Sequence, residues 1–305
     1  MVQEIYMKKL SILLTGSSGY IGRNILEQRK TKYHIVAPSH SELDLTNTEK
    51  VDMYFDEYGP FHAVIHCAVI GGKRDAVNLQ NILPTNLRMF FNLARNKRHF
   101  SKMIHIGTGG EYDKSEPIVK ARESDFGKRI PKDEYSFCKY ICSQYIEKSE
   151  NIYSLRLFGI FGKYEDYRIR FISNIICKYI FKLPLTILQN AYFDYVYLND
   201  FIKILDFFIK KRPKYKIYNT SSGQKFELLS LIEKINTLSN YSMPIKLQKK
   251  GLNKEYTGDN RRLKKELKNF RFTPIDDSIR ELYHWYRKNI HRIDKREILE
   301  DSFNK

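Results

Sequence analysis

Nothing in this chain is apolar for long enough to cross a membrane. Its longest apolar stretches, such as Ile172–Ile180, are interrupted by Asn174 and Lys178, well short of the roughly 20 residues a span requires. A signal core is missing too, because Met1–Lys9 is short and charged, with no apolar run ahead of small residues. Met1–Tyr6 reads as a frayed lead-in, since Met7-Lys8-Lys9 offers a second start. Cysteine is scarce. Cys67, Cys138, Cys142 and Cys177 contain no CxxC pair, and Cys138 and Cys142, four apart on a predicted helix, have no His/Cys partners elsewhere. Free thiols in a reducing, cytoplasmic location are expected, and no metal.

Acid is in short supply: Asp+Glu 35 against Lys+Arg 53 leaves a net charge of +18. A nucleic-acid or membrane-surface protein gathers such charge in a basic tail or helix. Here the lysines are spread along the chain, beside an excess of Ile, Asn and Tyr that reads as compositional bias. No nucleic acid and no membrane partner is expected, whereas a positive field suits a pyrophosphate-bearing substrate.

What is present is a globular pattern, 305 residues and 42% hydrophobic, enough for one large domain or two joined closely. Leu10–Leu14 is a short apolar run of the kind buried on both faces of a sheet. It leads into TGSSGYIG, with Gly16, Gly19 and Gly22, and then into a helical pattern through Gln28. Strand, glycine turn and helix start together form a dinucleotide cradle: Gly16 permits the turn, Gly19 lets amides approach a pyrophosphate, Gly22 lets helix and sheet pack. Ser18, Tyr20 and Ile21 belong to the same turn. The spacing is GxxGxxG, not GxGxxG. Strands at Tyr33–Ala37, Ala63–Ala68 and Lys102–Gly107 alternate with helices at Thr46–Tyr58 and Asn81–Arg95. This alternation predicts an α/β fold with a doubly wound parallel sheet, a Rossmann domain, ligands lying at the strands' carboxyl ends. The second strand ends in Ala37-Pro38-Ser39-His40-Ser41 with no acid before Glu42. A carboxylate there would hold the ribose 2′-hydroxyl of NAD. Its absence favours NADP (NADPH), with Ser39 and His40 near the 2′-phosphate and NAD as the alternative.

Tyr135-Ser136-Phe137-Cys138-Lys139 opens a helix running to about Lys148, so Tyr135 and Lys139 share a face. An ammonium one turn from a phenol stabilises the phenolate left when the proton is given up. Upstream a strand ends at Ile106-Gly107-Thr108, whose hydroxyl can bond the reacting oxygen. Downstream, Ser154–Gly162 is the next strand, bordering the nicotinamide.

TGSSGYIG, Glu42–Leu45 (ELDL), Val64–Ala68, Thr108, YSFCK and LRLFGIFG occur in the order of the extended short-chain dehydrogenase/reductase (NAD-dependent epimerase/dehydratase) family. The chain resembles that family over roughly residues 8 to 290. Within it, ELDL and the Ala68–Gly72 loop resemble segments of the GDP-L-fucose synthase-like 4-ketoreductases. The resemblance implies Thr108, Tyr135 and Lys139 as the catalytic set, Lys139 also binding the nicotinamide ribose. Asp44 and Leu45 would border the adenine, Ala68 the pyrophosphate and Phe158 the nicotinamide, with Val69 and Gly110 on the substrate side. Dehydratases of the family follow the Thr with an acid–base pair, and this chain has Gly109-Gly110. Fucose synthases add an epimerising Cys and His, positions held here by Gly110 and, without gaps, Arg168. Phe193–Asp200 resembles a segment whose arginine touches the substrate diphosphate. That arginine is missing, which leaves Arg170 and Lys178 as candidates.

The second half loses the regular alternation. Arg168–Lys182 predicts an amphipathic helix, Pro184–Ala191 and Tyr215–Asn219 strands, Glu227–Leu238 and Asp277–Arg287 helices, and Asp294–Lys305 a charged, mobile tail. The expected division is 1–162 for the Rossmann domain, with about 191–222 returning to it, and 163–305 for a smaller mixed α/β substrate-binding domain. The implied activity is NADPH-dependent reduction of the C4 ketone of a nucleotide sugar, GDP-linked, for surface polysaccharide. The rivals are a C4 epimerase or oxidase holding NAD tightly and a non-catalytic dinucleotide sensor. A homodimer is expected through Asn81–Arg95 and Tyr135–Lys148, with Leu87, Phe90, Phe91, Ile141 and Tyr145 in the contact.

Overall fold

A computed structural model describes residues 9–72 and 79–299. The expected lead-in at Met1–Tyr6 lies outside the described residues. The first half runs β1 (Ser11–Thr15), α1 (Tyr20–Arg29), β2 (His34–Val36), α2 (Thr48–Tyr58), β3 (Phe61–His66), α3 (Ile82–Ala94), β4 (Phe100–Thr108), β5 (Ile118–Ala121), α4 (Glu134–Glu147) and β6 (Ile152–Leu157). The second half adds β7 (Gly159–Phe161), α5 (Phe171–Ile180), β8 (Leu185–Asn190), β9 (Tyr192–Phe193), β10 (Tyr195–Tyr197), α6 (Leu198–Lys210) and β11 (Ile217–Thr220). It ends with β12 (Phe226–Glu227), α7 (Leu228–Ile235), β13 (Ile245–Leu252), β14 (Tyr256–Gly258), α8 (Arg261–Leu267), α9 (Ile275–Lys288) and α10 (Lys295–Leu299).

Six strands form one parallel sheet in the order β2-β1-β3-β4-β6-β11. Successive residues of β1 go to opposite faces: Ile12 and Leu14 join one core, Leu13 the other. A strand buried on both sides has no use for polar alternation, which is why SILLT reads as continuously apolar. On one face α1, α6 and α8 supply Ile25, Phe201, Ile204, Leu205, Phe208 and Leu263. On the other, α2, α3 and α4 supply Val51, Phe55, Phe90, Leu93, Cys142 and Ile146. Phe201 is fully buried, so Phe201→Ala should cost about 3–5 kcal/mol. A third core forms where α5, α7 and α9 pack together around Ile176, Leu231, Ile235, Leu282 and Tyr286.

β1 has β2 on one side and β3 on the other, so the chain leaves it in opposite directions and a crevice opens above these strand ends. Registers place Thr15 beside His66 and His66 beside His105. β4 runs three residues past His105, about 10 Å at strand rise, and so carries Thr108 out to the crevice. A small sheet, β12-β9-β14-β5, joins the two halves of the chain beside it. One expectation fails in the tail: Lys295–Leu299 is helical, with Ile298 buried in the third core. One buried apolar anchor, Ile298, holds this short charged helix against the core. Residues 300–305 lie outside the described residues.

Candidate active site

The cradle follows from the turn after β1. Gly16 has φ +68, and a Cβ there would sit 2.5 Å from Ala68 N; a Cβ on Gly22 would sit 2.2 Å from Gly16 O. Only glycines allow this approach of turn, helix and neighbouring strand. Helix α1 starts at Gly19 with no side chain capping its first amides. Free amides and the positive helix end suit a pyrophosphate, so the residues present fit a dinucleotide. Gly16, Ser18, Gly19, Tyr20, Ile21, Gly22, Ser39, His40, Leu45, Ala68, Val69, Thr108, Tyr135, Phe158 and Arg170 all line one cleft of about 1740 Å³.

At the ribose end the space differs from the sequence pattern. Glu42 folds back so that its Oε2 accepts from both Ser39 N and Ser39 Oγ, each at 2.7 Å. Those hydrogen bonds hold its carboxyl below the usual range. An ionised carboxylate therefore stands in the cleft lining just after the second strand, and Ser39's donors are engaged. Asp44 is turned away as well. Its Oδ1 accepts from Thr46 N and Oγ1 at 2.9 and 2.7 Å, and Leu43 and Leu45 line the cleft in its place.

Helix α4 begins where Asp133 accepts from Ser136 N at 2.9 Å, which sets Tyr135 in its first turn. One turn on, Lys139 is buried and donates from Nζ to Ile106 O at 2.8 Å, with His105 Nε2 at 3.4 Å. Nζ lies 5.9 Å from the Tyr135 ring centre. Burial, then the Lys139 charge, holds His105 well below its ordinary value and His66 down at about 3. Both rings are thus neutral. His66 Nδ1 pairs with Thr15 Oγ1 at 2.9 Å, so these histidines are packed groups. Thr108 Oγ1 accepts from Gly110 N at 3.1 Å, and Thr108 N donates to Glu111 Oε1 at 2.9 Å. Glu111 is wholly enclosed, its Oε2 bonded to Arg156 Nε at 2.7 Å and Ser143 Oγ at 2.6 Å.

On the substrate side three expected contacts lie elsewhere. Lys178 is buried inside α5, bonded to Thr186 Oγ1, because the face of α5 that carries it packs inward on β8. Arg168 sits before α5 and clamps Asp166 at 2.8 and 2.7 Å, outside the cleft lining. Gly110 is buried behind Thr108, against Ser136 Oγ. Arg170, two residues further on, does line the cleft and donates to Gly72 O at 3.3 Å.

Two cleft residues escaped the sequence reading. Glu165 is buried, accepts from Ser173 Oγ at 2.6 Å, and is pushed by that burial up to about 8. The buried Oη of Tyr20 has no hydrogen-bond partner among the described residues, and charge on Glu165 would raise the Tyr20 and Tyr286 phenols beyond what burial does. An acid three residues after Gly162 was the only available signal. Tyr256, with Oη 3.5 Å from Thr108 Oγ1, had none.

Among the described residues no helix is long and apolar enough to cross a membrane. GDP-L-colitose synthase of Yersinia pseudotuberculosis is 26% identical over 191 residues, 56% of this chain. The match spans 60% of that relative's length. A GDP-L-fucose synthetase from Naegleria fowleri has a TM-score of 0.82 at 15% identity, covering 93% of this chain and 95% of the other. A GDP-mannoheptose C4 reductase from Campylobacter jejuni, solved with NADP bound, has 0.78 at 15%, covering 92% and 99%. At such identities the two structures share the fold. The model of the NAD dependent epimerase/dehydratase family matches residues 12–221, more than half of the chain, and the chain belongs to that family.

Proposed function

We propose that the chain reduces the C4 ketone of a nucleotide-activated 4-keto-6-deoxy sugar, GDP-linked, without epimerising C3 or C5. One observation carries this reading. Thr108, Tyr135 and Lys139 converge beside the cleft, while the next two residues are glycines and Glu111 is locked to Arg156. Tyr135 would give the ketone its proton, the two positions after Thr108, where dehydratases of the family have an acid–base pair, bear no side chains, and Arg168 is turned to Asp166. The activities of two proteins that this chain is similar to, a GDP-sugar synthase and a GDP-sugar C4 reductase, support the GDP linkage and the C4 position.

A bound reduced nicotinamide would supply the hydride. The uncapped turn of α1 would hold its pyrophosphate, Leu43 and Leu45 its adenine, and Phe158 the wall beside its reactive ring. Thr108 donates a hydrogen bond to the ketone oxygen and polarises it. Tyr135 gives its phenolic proton to that oxygen as charge develops. Lys139, anchored on Ile106 O, stabilises the phenolate left behind. Arg170, at the N-terminus of α5 and in the cleft lining, takes the diphosphate. NADH serves as the site stands, since the Glu42 carboxylate can accept from a ribose 2′-hydroxyl, and NADPH serves only when Glu42 leaves Ser39. The assembly is a homodimer through α3 and α4. There Phe91 and Tyr145 are exposed and stack edge-on at 5.3 Å, whereas Phe90 is fully buried and faces inward.

Incubation with a GDP-linked 4-keto-6-deoxy sugar and reduced cofactor in D₂O should yield product with no deuterium at C3 or C5. Deuterium there above the non-enzymatic background would return the chain to the epimerase-reductases, with Glu165 as the first acid to replace. Tyr135→Phe should lower turnover by about 10²–10⁴-fold. A variant with wild-type turnover would remove Tyr135 from the mechanism.

A further inference from the structure

Tyr256 has no part in the steps above, yet its hydroxyl stands 3.5 Å from the one that polarises the ketone. It is carried by β14, which pairs with β5 on one side and Phe193 on the other, with a shift of register between Tyr256 and Gly258. Its ring lies 5.1 Å from Phe158 and 5.7 Å from Phe193. Aromatic packing on two sides thus fixes where the phenol points. Its Oη lies 3.5 Å from Thr108 Oγ1 and the ring lines the cleft together with Thr108 and Tyr135.

The room for this approach is made at position 109. A Cβ on Gly109 would lie 2.7 Å from Tyr256 Oη and 2.8 Å from the Phe158 ring. A side chain at 109 would therefore push the Tyr256 phenol out of this position. Gly109 and Tyr256 form one feature, brought together from distant parts of the chain.

We propose that Tyr256 is a positioning residue for ketone reduction, donating its phenolic hydrogen to Thr108 Oγ1. The inference rests on the ketoreductase reading. A hydroxyl has one hydrogen and two lone pairs. The Gly110 N–H occupies one lone pair at 3.1 Å, and Tyr256 occupies the second. Thr108 is then left only its hydrogen to offer, so it can meet an acceptor such as a ketone oxygen and cannot turn away to accept from a neighbour. Burial raises the Tyr256 phenol well above its ordinary value, and charge on Tyr135 or Glu111 raises it further. The donor form persists across the working pH range. At 3.5 Å the pair is longer than a closed O–H···O bond, as catalytic hydrogen bonds commonly are until substrate is in place.

The test is a double-mutant cycle, read as kcat and KM with a GDP-linked 4-keto-6-deoxy sugar. Tyr256→Phe keeps the ring and should lower kcat about three- to tenfold, the worth of one neutral hydrogen bond, with KM and Tm near wild type. Thr108→Val should lower kcat by itself, and adding Tyr256→Phe to it should cost nothing more. Gly109→Ala should reproduce the Tyr256→Phe loss by pushing the phenol aside. Wild-type kcat in Tyr256→Phe, or a full additional loss in the Thr108→Val background, overturns the inference. Tyr135→Phe separates the two levels. If it is inactive while Tyr256→Phe is wild type, only the role of Tyr256 fails. If it turns over normally, or the wild-type protein reduces no 4-keto sugar nucleotide, the ketoreductase reading fails and takes this one with it.

Discussion

Glu111→Gln should destabilise the protein by about 3 kcal/mol, the lower end of the range for breaking a buried ion pair. The magnitude follows from what the substitution leaves behind. Glu111 and Arg156 have 0% side-chain exposure each. The guanidinium lies between the rings of Tyr112 and Phe126, at 4.8 and 4.6 Å, and donates to Tyr112 Oη at 2.7 Å. A glutamine keeps one acceptor but leaves this guanidinium charged, dry and uncompensated, and aims an amide N–H₂ at other donors. Removing both charges together, as Glu111→Leu with Arg156→Met, should recover much of the loss, because neither partner is then stranded. Urea unfolding followed by circular dichroism, with m unchanged, measures both variants. A Glu111→Gln protein within about 1 kcal/mol of wild type, or a double variant no more stable than the single, would refute the reasoning, given surface pairs contribute only about that much. Every variant at 111 should also turn over more slowly, since Glu111 Oε1 holds the Thr108 amide.

Thermal shifts should be larger for NADH than for NADPH, because the anionic Glu42 opposes a 2′-phosphate, and an excess for NADPH would show that Glu42 swings off Ser39 to admit the phosphate. Burial pushes the Glu165 carboxyl up to about 8 in the folded protein, against 4.5 for a free side chain. The native state therefore binds more protons than the unfolded one between those values, and stability falls as pH rises through that window, by at most about 5 kcal/mol. Glu165→Gln should flatten the dependence of Tm on pH between 5 and 8; parallel profiles for the two proteins would show that Glu165 titrates normally. Light scattering should give a dimer mass at micromolar concentration and a monomer for Phe91→Asp with Tyr145→Asp, whereas a monomeric wild type would mean that the exposed pair covers nothing.

Much of the fold was legible because its determinants are local. A doubly buried strand is apolar at every residue, a turn tight enough for Gly16 excludes a Cβ, and a helical period puts Tyr135 and Lys139 one turn apart wherever the helix lies. The same rules placed α3, α4 and β4 to within a few residues. The amphipathic pattern of α5 was readable too, but not which neighbour its faces would meet. Lys178 was offered to a substrate and is buried on Thr186 instead, and the cleft takes Arg170 while Arg168 pairs with Asp166.

What tertiary structure alone decided are the encounters between residues remote in sequence or folded back across a loop. Glu42 reaches Ser39 only through the path of the loop after β2, so an acid three residues after Ser39 lines the cleft beside it. Tyr256 reaches Thr108 across 148 positions, through a short irregular strand that no period announces. Residue types and spacings record what a segment can do by itself, which is why the cradle and the Tyr–Lys pair are written in the sequence. Which side chains finally share a hydrogen bond depends on strand order and on how the two halves close over the crevice, and these are properties of the packed chain.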